Sequence, residues 1–351
     1  MKRMALATVA AAIVGTISIA AHAAGTADSA KQVVLVTHDS FAVSKPVKAA
    51  FERQTGLKLR ILQSGDAGAM LNRALLTAGR PEGDVIFGID NNLLTRALSG
   101  NLLTAYSPAT LRSVDRRYDL DRSHRLVPVD HGEVCLNTDK RWFASRGVAA
   151  PRSLDDLTRP AYKGLLVVEN PATSTPGLAF LLATVARYGQ NGWQAYWKRL
   201  RENRVLVTDG WEEAYTQRFS GAAGSHGNRP IVVSYASSPP AEVFYSGKKP
   251  TQAPTGVVLS SCFRQIEFAG ILRGAANPSG ARALVDFFLS PRFQADVPLS
   301  MFVFPVRKGV PLPDVFRRFA PAVPHPLELP AKTIGANRDR WIREWTAVVV
   351  R

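Results

Sequence analysis

Three hydroxyl side chains stand in a row in the stretch VVENPATSTPGLAFLL: Thr173, Ser174 and Thr175, followed by Pro176 and an apolar run from Leu178. A helix beginning here needs one side-chain cap. Thr175 suits that post, with Pro176 in the first turn, where its missing amide costs nothing. Two hydroxyls are then spare. The free amides of a helix start attract anions, so the cluster has the chemistry of a phosphate or carboxylate cradle. A solvated capping turn would use the same residues. DGWEEAY offers a second helix start, with Asp209 as cap and Glu212 three residues on. Trp211 lies in its first turn and Tyr215 one turn later on the same face, which reads either as core or as a flat surface for a ligand. In VVSYASSPPAE a strand delivers Tyr235, Ser237 and Ser238 to its carboxyl end before two prolines. Asp39, Asp66 and Asp90 each follow an apolar run, where a carboxylate serves a turn or faces a cation.

These residues need a scaffold. KQVVLVTHDSF reads as a buried strand over 32–37, SKPVKAAFERQTG as a helix, LKLRILQ as a strand, AMLNRALLTAGR as a helix and DVIFGID as a strand. This β-α-β-α-β order predicts a parallel α/β sheet. A second α/β unit follows. It has a helix near 153–159, a strand over 164–168, helices over 176–188, 191–203 and 210–220, and strands over 204–208 and 230–235. Strand-rich segments 125–137 and 257–272 bracket that unit. They predict two α/β lobes joined by extended hinge strands, with a cleft between them. Lobe 1 is expected over 24–130 plus 264–351 and lobe 2 over 131–263, with crossovers near 128–136 and 258–266. Helices near 278–289 and 291–295, a Pro-rich stretch 298–313 and a last helix near 333–347 complete the chain.

The N-terminus reads as a signal peptide over 1–23. Lys2 and Arg3 precede an apolar run, and Ala21 and Ala23 are spaced for cleavage after Ala23. The mature chain is expected to be exported to the periplasm. About 328 residues then remain, enough for two cores. The formal charge of +16 falls to +14 without Lys2 and Arg3, but the basic residues are scattered, so a solvated surface and no nucleic-acid partner are expected. Cys135 and Cys262 are equally compatible with a disulfide and with two buried thiols. The chain has no GxSxG, no HExxH and no paired-Cys spacing, so no catalytic residue, metal or cofactor is expected.

The segments THDSF, GDAGAMLNRAL, DVIFGIDNNLL, TSTPGL, DGWEEAY, VSYASSP, FLSPRFQ and WIREW occur in this order. Together they resemble the thiamine-binding periplasmic proteins of bacterial ABC importers, from about Val33 to Trp345. The resemblance implies a type II periplasmic-binding fold and a ligand of thiamine, its monophosphate or its diphosphate. It also implies a monomeric carrier serving a membrane permease and its ATPase. It assigns the phosphate end to Asp66, Ala67, Ser174, Thr175, Trp211, Tyr235 and Ser238. Asp39 and Tyr215 are added from the residues themselves, with His38, Thr173, Asp90 and Phe244 as weaker candidates. Four positions depart from the family pattern. His38 replaces an aromatic, Ala67 a glycine and Ala241 a ring-stacking aromatic, while Phe302 stands for the facing tryptophan. Phe244 or Tyr245, one turn on, is a candidate substitute for the lost ring. Carriers for ferric iron, polyamines or a thiamine precursor are the alternatives within the same fold. A lone Tyr in SYASS argues against iron, and a hydroxyl-rich cradle is wrong for an ammonium.

Overall fold

The computed structural model describes residues 31–247 and 250–351. The expected signal peptide lies outside the described residues. The strands are β1 (Gln32–Thr37), β2 (Lys58–Gln63), β3 (Val85–Asp90), β4 (Leu103–Thr104), β5 (Val127–Asp139), β6 (Leu166–Glu169), β7 (Leu206–Thr208), β8 (Ile231–Tyr235), β9 (Thr255–Leu272) and β10 (Phe304–Pro305). They pair in the order β2-β1-β3-β9-β5-β8-β6-β7, with β4 on β9 and β10 on β5.

The strands expected to be parallel are parallel: β2-β1-β3 in one half, β8-β6-β7 in the other. The inner strands β3, β6 and β8 are almost wholly buried, as strands covered on both faces should be, whereas the edge strands β2 and β7 are partly open. The two long strands between the halves run antiparallel to each other, because one carries the chain outward and the other brings it back. They form the spine of both lobes. Their register shifts by one residue between Pro128 and Asp130 and breaks more widely near the middle, where Val134 faces Phe263 but Leu136 faces Val258. Cys135 and Cys262 lie in that break and are joined as a disulfide, with Cα atoms 4.2 Å apart and a separation of 127 positions in sequence. Pairing in the sheet, which the sequence left open, makes the bond possible.

The helices that matter for the cleft are α1 (Lys45–Thr55), α2 (Ala67–Leu76), α3 (Leu94–Ser99), α4 (Lys140–Arg146), α5 (Thr175–Tyr188), α6 (Trp193–Glu202) and α7 (Ser238–Tyr245). They are followed by α8 (Pro278–Phe288), α9 (Pro291–Ser300), α10 (Asp314–Phe319) and α11 (Ala331–Val349). Several expectations need correction. The helix expected over 210–220 is a π-helical segment, Glu213–Arg218. The one near 153–159 shrinks to a 3₁₀ turn, Asp155–Thr158. The two prolines after Ser238 open α7 rather than a loop, since proline is at home in a first helical turn. Pro298, expected in a Pro-rich loop, lies within α9. The last helix touches both lobes. Trp345 packs edge-on against Trp197 of α6, while Thr95 of α3 donates to the Ala331 carbonyl.

Candidate functional site

Between the lobes lies a cavity of about 610 Å³. Its wall includes His38, Asp66 and Ala67 from the half built on β1–β3, Glu267 from the spine strand β9, and Thr175, Trp211, Glu212, Tyr215, Tyr235, Ser238 and Glu242 from the half built on β6–β8. Ser300, Met301, Phe302, Val303 and Tyr245 also line it.

Asp66 is the hub of one end. As the cap of α2, its carboxylate accepts from the amide of Ala67 at 2.7 Å. It also accepts from the amides of Thr175 and Trp211, each at 3.1 Å, across the interlobe gap. The Ser174 hydroxyl hydrogen-bonds to it as well. Burial outweighs these bonds and pushes the Asp66 carboxyl up to about 6. Two local expectations change here. Ser174, not Thr175, caps α5, accepting from the Gly177 amide. The Trp211 amide is taken by Asp66 rather than by Asp209. The close approach needs Gly68, where a Cβ would stand 2.5 Å from the Thr173 carbonyl oxygen. Thr175 is fixed from below by Gln265, whose Nε2 donates to its Oγ1 at 3.2 Å and to Asp90 at 3.0 Å.

The middle of the wall is aromatic. Trp211 stacks on Tyr215 with ring centroids 4.9 Å apart and meets Tyr235 edge-on. The indole Nε1 of Trp211 donates to Ser234 at 3.0 Å, and Ser234 shares a hydrogen bond with Ser238. The Tyr215 hydroxyl donates to Glu242 at 2.7 Å, and Glu242 also accepts from the Ala223 amide. The opposite end is an aromatic rim. Phe302 contacts Phe244, Tyr245 and Phe316, with centroids 5.8, 5.4 and 6.1 Å away. Phe302 is held in the left-handed region at φ 54°, and its carbonyl accepts from the Ser237 hydroxyl at 2.6 Å, again across the two lobes.

The wall is acidic. Asp66, Glu212, Glu242 and Glu267 line it, and no Lys or Arg does so among the described residues, although the whole chain carries +16. Burial raises Glu267 well above the ordinary range, helped by Asp130, Asp90 and Asp66. Burial first, then Asp39 and Asp66, raise Glu212. His38 approaches Glu267 at 3.5 Å, but burial drives its imidazole down to about 4, so the contact joins a neutral ring to an acid. That ring lies where a side chain at position 88 would be: a Cβ on Gly88, at φ 98°, would stand 2.2 Å from it.

Of the residues singled out from sequence, His38, Asp66, Ala67, Thr175, Trp211, Tyr215, Tyr235, Ser238 and Phe302 share this wall. The others stand off it. Ser174 lies behind it as a cap. The Thr173 hydroxyl is spent on the Asp209 carbonyl, Asp90 is bonded to the turn 92–93 and to Gln265, and half-exposed Phe244 backs the rim. Asp39 is near enough to raise Asp66 but does not line the cavity. Tyr245 was only a candidate substitute, and Glu212, Glu242 and Glu267 were not singled out for the wall. Glu267 had a signal: an acid inside the apolar run QIEFAGIL, on the same strand face as Gln265.

Residues 83–326 match the family model described as bacterial extracellular solute-binding protein. The chain belongs to this family. The solute-binding protein is 32% identical over 329 residues to a thiamine-binding periplasmic protein of Salmonella typhimurium (strain LT2), covering 92% of this chain and 95% of the relative. It is 30% identical over 341 residues to one from Brucella melitensis, covering 93% and 94%. A solved periplasmic thiamin binding protein aligns with a TM-score of 0.78 at 28% identity, covering 91% of this chain and 96% of that one. A ferric binding protein from Campylobacter jejuni shares the fold at 17% identity, with a TM-score of 0.69 and coverage of 90% and 99%. The fold is the type II periplasmic-binding fold, and the family is one of carriers rather than catalysts.

Proposed function

We propose that this solute-binding protein captures thiamine or one of its phosphates in the periplasm and delivers it to an inner-membrane ABC permease with its ATPase. The observation that carries the reading is the acidic, aromatic wall without a Lys or Arg among the described residues. Thiamine joins a flat aminopyrimidine to a cationic thiazolium. A cation of that shape gains from aromatic faces and from nearby carboxylates. Trp211, Tyr235, Tyr245 and Phe302 offer faces, and Asp66, ionised above about pH 6, offers charge. Lobe boundaries at the register break, with the disulfide beside the hinge, would let the two halves close on the ligand as rigid bodies. The carrier acts as a monomer after cleavage following Ala23.

The test is a thermal-shift screen of ligand-stripped mature protein against thiamine, its phosphates, spermidine and ferric citrate. Thiamine compounds should raise the melting temperature and quench tryptophan fluorescence, with the quench lost in Trp211→Phe. Stabilisation by iron or spermidine without thiamine would sink the reading.

A further inference from the structure

We infer that Glu267, backed by Asp130, receives the permanent positive charge of the ligand and gives up a proton as the cation arrives, an inference that rests on the thiamine reading above. Three carboxyl groups lie in one row across the sheet: Glu267 of β9 stands directly opposite Asp90 of β3 and Asp130 of β5. Residues paired in this way project from the same face. Of the row, Glu267 lines the cavity, while Asp90 and Asp130 are fully buried. Asp90 accepts from Asn92, the Leu93 amide and Gln265. Asp130 has no donor of that kind: its oxygens are buried, and the side chain that bonds to it is Glu267. Two carboxyl groups bond to each other only through a proton. The pair therefore holds one before a ligand binds, and burial, then Asp130, Asp90 and Asp66, keep Glu267 well above the ordinary range.

The other groups that face Glu267 do not supply a charge. His38, from the loop after β1, approaches at 3.5 Å, but it is neutral and its Nδ1 is bonded to Ser40. The Tyr235 hydroxyl, from β8, is held above its usual value by burial. Arg338 of α11 is the cation that reaches toward the row; it acts on Asp90 and is paired with Asp339. A quaternary nitrogen placed against Glu267 changes the balance. Its fixed charge favours the ionised acids, so the shared proton leaves for solvent and the cation stays beside a carboxylate. One positive charge enters as one departs. A neutral ring gives the pair no reason to ionise, so the exchange separates a permanent cation from an uncharged molecule of similar shape.

The experiment is calorimetric titration of the ligand-stripped mature protein with thiamine at about pH 7.5, in buffers of different ionisation enthalpy, which counts the protons released. At that pH Asp66, near 6, is already ionised and contributes little. The neutral aminopyrimidine fragment of thiamine is the control ligand. Glu267→Gln and Asp130→Asn are titrated beside the native protein, with thermal melts to verify folding. The native protein should release about one proton per thiamine, and its affinity should rise with pH, toward about tenfold per unit. In Glu267→Gln the release should vanish and thiamine affinity should fall by about tenfold. In Asp130→Asn the release should shrink, because an amide there stabilises the Glu267 carboxylate without a shared proton; this variant decides if Glu267→Gln does not fold. Thiamine binding without proton release by the native protein overturns the inference. So does a release that persists in the folded variants or that the neutral fragment matches. If the native protein binds no thiamine, the thiamine reading itself fails, an outcome distinct from binding without proton release.

Discussion

The two ends of the cleft are built in opposite ways. At the Asp66 end, polar groups are buried and bonded mainly to one another, across three segments and two lobes. At the Phe302 end, the wall is made of rings, and Phe244 and Tyr245 are 48% and 62% exposed. The first end is fixed by hydrogen bonds whose loss would strand buried donors. The second is set by packing and by one hydroxyl holding the Phe302 carbonyl. At the first end the groups that hold the lobes together also face the ligand, whereas the second end chiefly greets it. Changes at the first end should cost stability as well as affinity, and changes at the second should cost mainly affinity.

The largest effect should fall on both ends alike. The Cys135–Cys262 bond closes a loop of 127 residues at the spine. Replacing both cysteines by serine should lower unfolding free energy by about 5 kcal/mol in the chain-entropy view, read by urea denaturation. Next, Asp66→Ala should cost about 3 kcal/mol, because two buried amides and the part-buried Trp211 amide lose their acceptor. Tyr245→Ala should cost little stability but weaken thiamine binding by ~0.5–2 kcal/mol. If these two variants behave alike, the contrast between the ends is wrong. Ser174→Ala should cost about 1 kcal/mol of stability as a lost helix cap.

A smaller, sharper test is pH. Burial raises Asp66 from 3.8 to about 6 in the folded chain. Between those values the folded protein keeps a proton that the unfolded chain has released. The contribution is therefore fully present at the acid end and is lost as pH rises through about 6. His38 acts in the other sense, since its lowered value costs stability as pH falls from 6.5 toward about 4. The stability of the native protein relative to Asp66→Asn should thus decline from about pH 4 to pH 6.5. A flat difference would mean that Asp66 is not perturbed.

Much of this was legible beforehand where the signal was local. Apolar runs ended by turn residues marked β1, β3 and β8, and the Ser/Thr-Pro pattern marked the start of α5. The rim was harder to read. Ala241 announces a missing ring but not its replacement. Tyr245 reaches the cavity only because Pro239 and Pro240 begin a helix, and they could as well have ended a strand. The acids of the wall were obscured for a related reason. Glu212 and Glu242 look like ordinary helix-surface charges: Glu212 meets Asp39 and Asp66 only across the cleft, and Glu242 is buried against Tyr215 and the Ala223 amide of its own half.

Local pattern and composition by themselves determined the alternation of strands and helices, the likeness to a carrier family and a helix start crowded with hydroxyls. Those features depend on neighbours within a turn or two of chain, so the order of residues is enough to specify them. Tertiary structure alone decided that Asp66, some 108 residues before Ser174, would occupy that helix start, and that Cys135 would meet Cys262. Contacts of that range form only when the lobes and the two spine strands come together, because the free energy that selects them comes from burial and pairing across the whole fold.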